Sequence, residues 1–181
     1  MTWPPPQSLS SEFLELEPIR PSHAEEMVPV LADAELYEFI GGDAPTVEQL
    51  VRRYTAQAVG CSPDGAQWWL NWVVRERASG RLVGYVQATV EEVDGTRTGS
   101  LAWVVAPSNQ RRGHASAATG AMIDWVRRSG VDAFTASIHP DHHASAAVAQ
   151  KTGFASSGVR DDDGEDVWQL CPDPKEVLQD S

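Results

Sequence analysis

Between residues 67 and 130 the chain changes its hydrophobic period once, and that change narrows what it can fold into. Residues 68–75 and 82–90 are runs of aromatic and β-branched side chains separated by Ser79-Gly80, which reads as a hairpin turn. Asp94-Gly95 is a second tight turn and leads into a third antiparallel strand over 99–105, so this part of the chain is a meander. Beyond it the period becomes helical. Ala115, Ala118, Met122, Trp125 and Val126 fall on one face, and the helix runs out at Gly130.

Shorter elements lie on either side. Residues 14–19 alternate as a strand that Pro21 ends, and Ser22 is expected to cap a helix over 23–33, with Glu25 in capping-box position and Met27, Val30 and Leu31 as its apolar stripe. A second helix follows Thr46, with Leu50, Tyr54 and Ala58 on one side and Arg52 and Arg53 on the other. Residues 61–65 form a turn. After the long helix come a strand over 133–138, a short helix over 144–151 stopped by Gly153, and strands over 154–160 and 167–170 around an acidic turn. The order β-α-α-β-β-β-α-β-α-β-β is a mixed α/β layer architecture. At 181 residues one core suffices, so 14–171 reads as a single domain between a flexible N-terminal tail, 1–13, and a C-terminal tail, 172–181.

Composition excludes several classes. No apolar run approaches a bilayer span, and the start of the chain lacks the basic and apolar regions of a signal peptide, so a cytoplasmic protein that avoids membranes is expected. Cys61 and Cys171 make neither a metal spacing nor a disulfide framework and read as reduced bystander thiols. The net charge of −12, from 14 basic and 26 acidic residues, disfavours nucleic acid and mildly favours a cationic partner such as an amine. Solubility alone is the plainer reading of that charge.

Against this acidic background, the segment joining the meander to the long helix is basic. It runs Val104-Val105-Ala106-Pro107-Ser108-Asn109-Gln110-Arg111-Arg112-Gly113-His114-Ala115-Ser116. A helix entered through a glycine-containing loop aims unpaired N–H groups and its positive dipole end at one point, which suits a phosphate. Gly113 permits close main-chain approach, Ala115 is small, and Arg111 and Arg112 add local positive charge. A plain strand-to-helix turn with solvated arginines is the competing explanation of this segment alone.

The stretch from Gln110 to Ala115 resembles the acyl-CoA pyrophosphate loop of the GNAT superfamily of N-acetyltransferases: Gln or Arg, two variable residues, Gly, one variable residue, then Gly or Ala. A second stretch, Ile138-His139-Pro140-Asp141-His142-His143-Ala144-Ser145 through Val148, Lys151, Gly153 and Phe154, resembles that family's strand end, turn, short helix and closing Gly-Phe. With Ser145 and no tyrosine on the short helix, its wording is similar to the branch of Rim-type ribosomal-protein and small-amine acetyltransferases. The resemblance implies a mostly antiparallel central sheet flanked by helices and acetyl-CoA as co-substrate without a metal. Trp103, Val104 and Val105 would lie along the pantetheine arm, and the residues Gln110, Arg111, Arg112, Gly113, His114, Ala115 and Ser116 around the pyrophosphate. It further implies direct transfer to a primary amine, on a small molecule or a protein N-terminus.

Transfer from a thioester needs a neutral amine, a polarised carbonyl and a proton for the thiolate. The family's frequent tyrosine position is Ala149 here, and its turn asparagine is His142. Ser145 is therefore the expected donor to the thiolate, with His142 or His143 as secondary candidates. The base is open: Ser100 stands where relatives often carry Glu, and Glu38, Glu91 and Glu92 read more simply as surface charges than as a base. By analogy Tyr37, Phe39 and Tyr54 shape the acceptor pocket, while Trp68, Trp69, Trp72 and Trp103 admit two readings, lining of that pocket or packing; adjacent Trp68 and Trp69 point to opposite faces, so at most one of them belongs to any one pocket, and packing is the default for the rest. The three histidines 139, 142 and 143 with Asp141 read as a turn rather than a metal site. A catalytically silent acyl-CoA-binding or regulatory domain is the alternative function, a small interaction module without CoA is a third, and oligomeric state stays open, a homodimer included.

Overall fold

The computed structural model describes residues 3–93 and 95–170, so Asp94 of the expected turn, Cys171 and the expected C-terminal tail lie outside the described residues. Eight strands form one sheet: β1 (Leu9–Ser10), β2 (Leu14–Pro18), β3 (Gln67–Glu76), β4 (Leu82–Val93), β5 (Thr96–Val105), β6 (Ala133–Ile138), β7 (Ala155–Arg160) and β8 (Asp166–Leu170). Their spatial order is β1-β2-β3-β4-β5-β6-β8-β7, and every pairing is antiparallel except β5 with β6. Helices α1 (Ala24–Val30), α2 (Tyr37–Ile40), α3 (Val47–Gln57), α4 (His114–Arg128) and α5 (His143–Lys151) flank it. This is the expected mixed, mostly antiparallel α/β architecture.

Alternation along β3 sorts its side chains to two cores, as a two-residue period must. Leu70, Trp72 and Val74 face α4, where Trp72 meets Trp125 edge-on with ring centroids 5.6 Å apart. Val73 points the other way, toward Met27 and Leu31 of the α1 region and Leu50 and Tyr54 of α3. Each such aliphatic side chain removed from water contributes about 1.5–3 kcal/mol. The neighbours Trp68 and Trp69 separate likewise: Trp68 packs against the α4-side core, while the Trp69 indole N–H donates to Gln67 Oε1.

Three local expectations change. Ser22 does not cap α1: it sits inside a 3-10 turn, Pro21–His23, and the Arg20 amide donates instead to His23 Nδ1 at 3.1 Å. Pro21 pre-sets the tight turn that takes in Ser22, the His23 imidazole closes that turn on the Arg20 amide, and α1 itself has no side-chain cap. The short helix α2 was not expected; Asp33 caps the turn before it by accepting the Glu35 amide at 3.0 Å. In the segment read as a tail, Leu9–Ser10 pairs with β2, and the Trp72 indole donates to the Gln7 carbonyl at 2.7 Å.

One irregularity positions everything that follows. The parallel pairing of β5 with β6 joins only Thr98, Gly99 and Ser100 to Ala133, Phe134 and Thr135. Beyond these residues β5 stays with β4 as far as Val105, whereas β6 stays with β8 through Ile138. The sheet therefore opens at the C-terminal ends of its two parallel strands, the place where α/β sheets offer a crevice to ligands.

Candidate active site

The opening is a cleft of about 740 Å³, with Trp103, Val104 and Val105 of β5 on one wall and Ala136, Ser137 and Ile138 of β6 on the other. Its floor is the loop into α4. After Val105, residues Pro107–Asn109 make a single tight turn, and the Gln110 side-chain amide donates back to the Val105 carbonyl at 3.1 Å, fastening the loop to the end of β5. Arg111 and Gly113 both adopt left-handed backbone conformations, with φ of 59° and 82°. No side chain caps α4, so the first amides of that helix, which have no carbonyl partner within it, are directed at the loop. Successive amides wrapped in this way form a concavity for an anion.

The expected loop residues Gln110, Arg111, Gly113, His114, Ala115 and Ser116 all line the cleft, as do Trp103, Val104 and Val105. Arg112 is exposed and outside the lining. The His114 ring is committed elsewhere: it is 3% exposed, its Nε2 lies 3.3 Å from Glu76 Oε1, and it packs on Phe13 at 5.7 Å. That contact ties the start of α4 to β3.

The short helix α5 supplies the opposite rim. Ser145, half-buried, lines the cleft with His142, His143 and Lys151. His142 stacks on Phe39 of α2, with centroids 4.4 Å apart and 15° between the planes. Burial against that ring, and then the neighbouring His139, hold its pKa below the ordinary imidazole value. Ala149, which stands at the family's frequent tyrosine position, is fully buried in the core and does not line the cleft.

The acids separate clearly. Glu91 accepts a hydrogen bond from Gln67, Glu92 pairs with Arg97 at 2.8 Å, and neither they nor Ser100 line the cleft; Glu38 does. A further carboxylate, Glu165, lies in the acidic turn between the last two strands. The turn is held by Asp161, which accepts the amides of Asp163 and Glu165 at 3.1 and 2.9 Å, and it carries Glu165 half-buried into the cleft lining. Burial and then the charges of Asp161 and Asp163 push its pKa above the usual carboxylate value. No contiguous signature marks it, because the Asp161 turn and the pairing of β8 with β6 bring it to the cleft. Among the described residues there is no group of three or more His, Cys, Asp or Glu placed to hold a metal ion.

An uncapped, left-handed loop beneath a split parallel pair suits a phosphate-bearing thioester, and residues 14–155 match the model of the acetyltransferase (GNAT) domain. The chain belongs to the GNAT acetyltransferase family. As a GNAT protein it is an N-acetyltransferase that uses acetyl-CoA. Its fold is shared with RimL, a ribosomal L7/L12 α-N-protein acetyltransferase solved with coenzyme A, at TM-score 0.77 and 17% identity over 92% of this chain and 99% of that one. An acetyltransferase from Salmonella typhimurium that modifies the N-terminal serine of L7/L12 superposes at TM-score 0.73, with 18% identity over 90% of this chain and 97% of its own. The microcin C7 self-immunity acetyltransferase MccE, solved with acetyl-CoA and AMP, gives TM-score 0.74 and 14% identity over 89% and 93%. Among curated proteins none matches the sequence. No helix among the described residues is long and apolar enough to cross a membrane.

Proposed function

We propose that the cleft performs direct acetyl transfer to a primary amine, with Ser145 as the donor to the departing thiolate and Glu165 as the base. The supporting observation is that a hydroxyl and a half-buried carboxylate line the same cleft as the anion-binding loop. The loop fits the co-substrate: left-handed Arg111 and Gly113 and the uncapped start of α4 offer amides to a pyrophosphate, and Arg111 adds charge. The edge of β5 at Trp103, Val104 and Val105 would hold the pantetheine arm by strand-like pairing. Acetyl-CoA supplies an activated acetyl thioester.

The protein's own groups then manage protons and position. An acceptor arrives as an ammonium and must lose a proton, which the Glu165 carboxylate takes directly or through water. Its raised pKa makes it a stronger base than an exposed glutamate. The Ser145 hydroxyl donates a hydrogen bond to the sulfur as charge develops there. His142, with its pKa held down and its ring stacked on Phe39, is neutral at pH 7 and acts as a wall and hydrogen-bonding group rather than as the acid. The acceptor is a small molecule or a protein N-terminus; RimL acts on the latter and lends that choice its support. The catalytically silent alternative is not favoured, because Glu165 restores the carboxylate that the β5 position lacks.

The test is thiol release from acetyl-CoA over a panel of amines and peptides, read against pH. Activity is expected to rise through a group titrating above the ordinary glutamate value, and Glu165→Gln should lower kcat by about 10²-fold and remove that limb. An unchanged limb in Glu165→Gln would dismiss this carboxylate as the base.

A further inference from the structure

A second, smaller cavity of about 240 Å³ lies on the α3 side of the sheet, between that helix and strands β3 and β4. Its polar lining comprises Arg53, Tyr54, Gln57, Asn71, Tyr85 and Gln87. Two atoms in it are buried without a hydrogen-bond partner: Tyr54 Oη, on a side chain only 3% exposed, and Gln57 Oε1. The other end of the Gln57 amide is fixed, donating to Asn71 Oδ1 at 3.2 Å, and Asn71 is itself buried. Burial raises the Tyr54 pKa, so the phenol stays neutral. A folded chain rarely leaves a hydroxyl and an amide oxygen in a cavity unless something else satisfies them. Tyr85 is a wall of this cavity and also of the acetyl-transfer cleft, and it pairs in register with Val104.

We infer that this cavity is a specificity pocket of the acceptor site that receives a neutral group able both to donate and to accept hydrogen bonds, a hydroxyl or a carboxamide carried close to the reacting amine. The inference rests on the acetyl-transfer reading of the neighbouring cleft. Gln57 Oε1 requires a donor from the ligand, while Tyr54 Oη and the Asn71 amide N–H groups can serve its acceptor. Among the described residues no acid lines the cavity, which disfavours a cation. A bare carboxylate would satisfy Arg53 at the mouth and leave Gln57 Oε1 unpaired. The volume exceeds that of one or two waters, each taking about 30 Å³ of liquid, and accommodates a small side chain.

The experiment compares peptides differing only at the first residue, threonine against valine and asparagine against leucine, on wild-type protein and on Tyr54→Phe. Removing an orphaned hydroxyl leaves a well-filled aromatic position, so the variant is expected to fold. Wild type should favour the polar member of each pair by about tenfold in kcat/KM, and Tyr54→Phe should erase that preference through loss on the polar member alone. Equal loss on both members, or a preference untouched by the substitution, overturns the inference. A readout that needs no turnover accompanies it: threonine amide should raise the melting temperature of wild type more than valine amide does, and not that of Tyr54→Phe. Equal shifts in both proteins mean that the cavity holds water only, and overturn the pocket while leaving acetyl transfer standing. A threonine-amide shift lost in Tyr54→Phe, with no amine acetylated, would uphold the pocket and reject transfer.

Discussion

Gly113 is the residue on which the co-substrate side of the cleft depends. At φ of 82° it begins α4 in a conformation that costs an L-residue about 1–2 kcal/mol. A Cβ there meets nothing within 4 Å, so Gly113→Ala tests conformation rather than crowding. The expected outcome is a melting curve shifted by roughly that energy and acetyl-CoA binding weakened beyond it, because the amides turn away from the anion. His142 gives a second residue-scale prediction. Its folded pKa lies below its unfolded value near 6.5, so protonation favours the unfolded chain, and its stabilising contribution is complete above about pH 6.5 and declines as pH falls toward the folded value. The stability difference between wild type and His142→Asn, followed by denaturant titration from pH 7.5 to 5, should shrink on the acid side. Ser145, His142 and the loop residues other than Arg112 line the cleft, and each sits in a short contiguous signature that the sequence displays. Glu165 sits in none, because only the Asp161 turn and the pairing of β8 with β6 bring it to the cleft.

At the scale of elements, the opening between β5 and β6 depends on how closely β4 and β5 approach. Gly84 pairs with Val105, and a Cβ on it would collide with the Val104 carbonyl oxygen, a main-chain atom that cannot rotate aside. Gly84→Ala should therefore cost about 1–3 kcal/mol and displace the β5 wall, visible as a lowered melting temperature together with a raised KM for acetyl-CoA. The long elements were readable from period alone: the meander, α3 with its Thr46 and Gln49 capping box, and α4 all fall where their apolar spacing puts them. Short elements escaped because their signals are tertiary. Four-residue α2 is steadied through Tyr37, whose hydroxyl donates to the Leu31 carbonyl at 2.7 Å, and through Phe39 against His142. Helix α1 has no side-chain cap, because Ser22 is drawn into the 3-10 turn that His23 closes on the Arg20 amide.

For the whole molecule, the sheet with its two cores is a frame that holds a basic loop inside a chain of net charge −12. Ligand binding to that frame should register globally: acetyl-CoA at a hundred times its dissociation constant is expected to add about 2.7 kcal/mol to the unfolding free energy, read as a concentration-dependent melting temperature. The most direct test of acetyl transfer at this cleft is to follow free CoA thiol and acetylated amine together, with wild type and with Ser145→Ala. One thiol should be released for each amine acetylated, with turnover about 10²-fold slower in Ser145→Ala and acetyl-CoA affinity retained. Acetyl-CoA that binds while no member of an amine and peptide panel is acetylated, or turnover indifferent to Ser145, would contradict this mechanism.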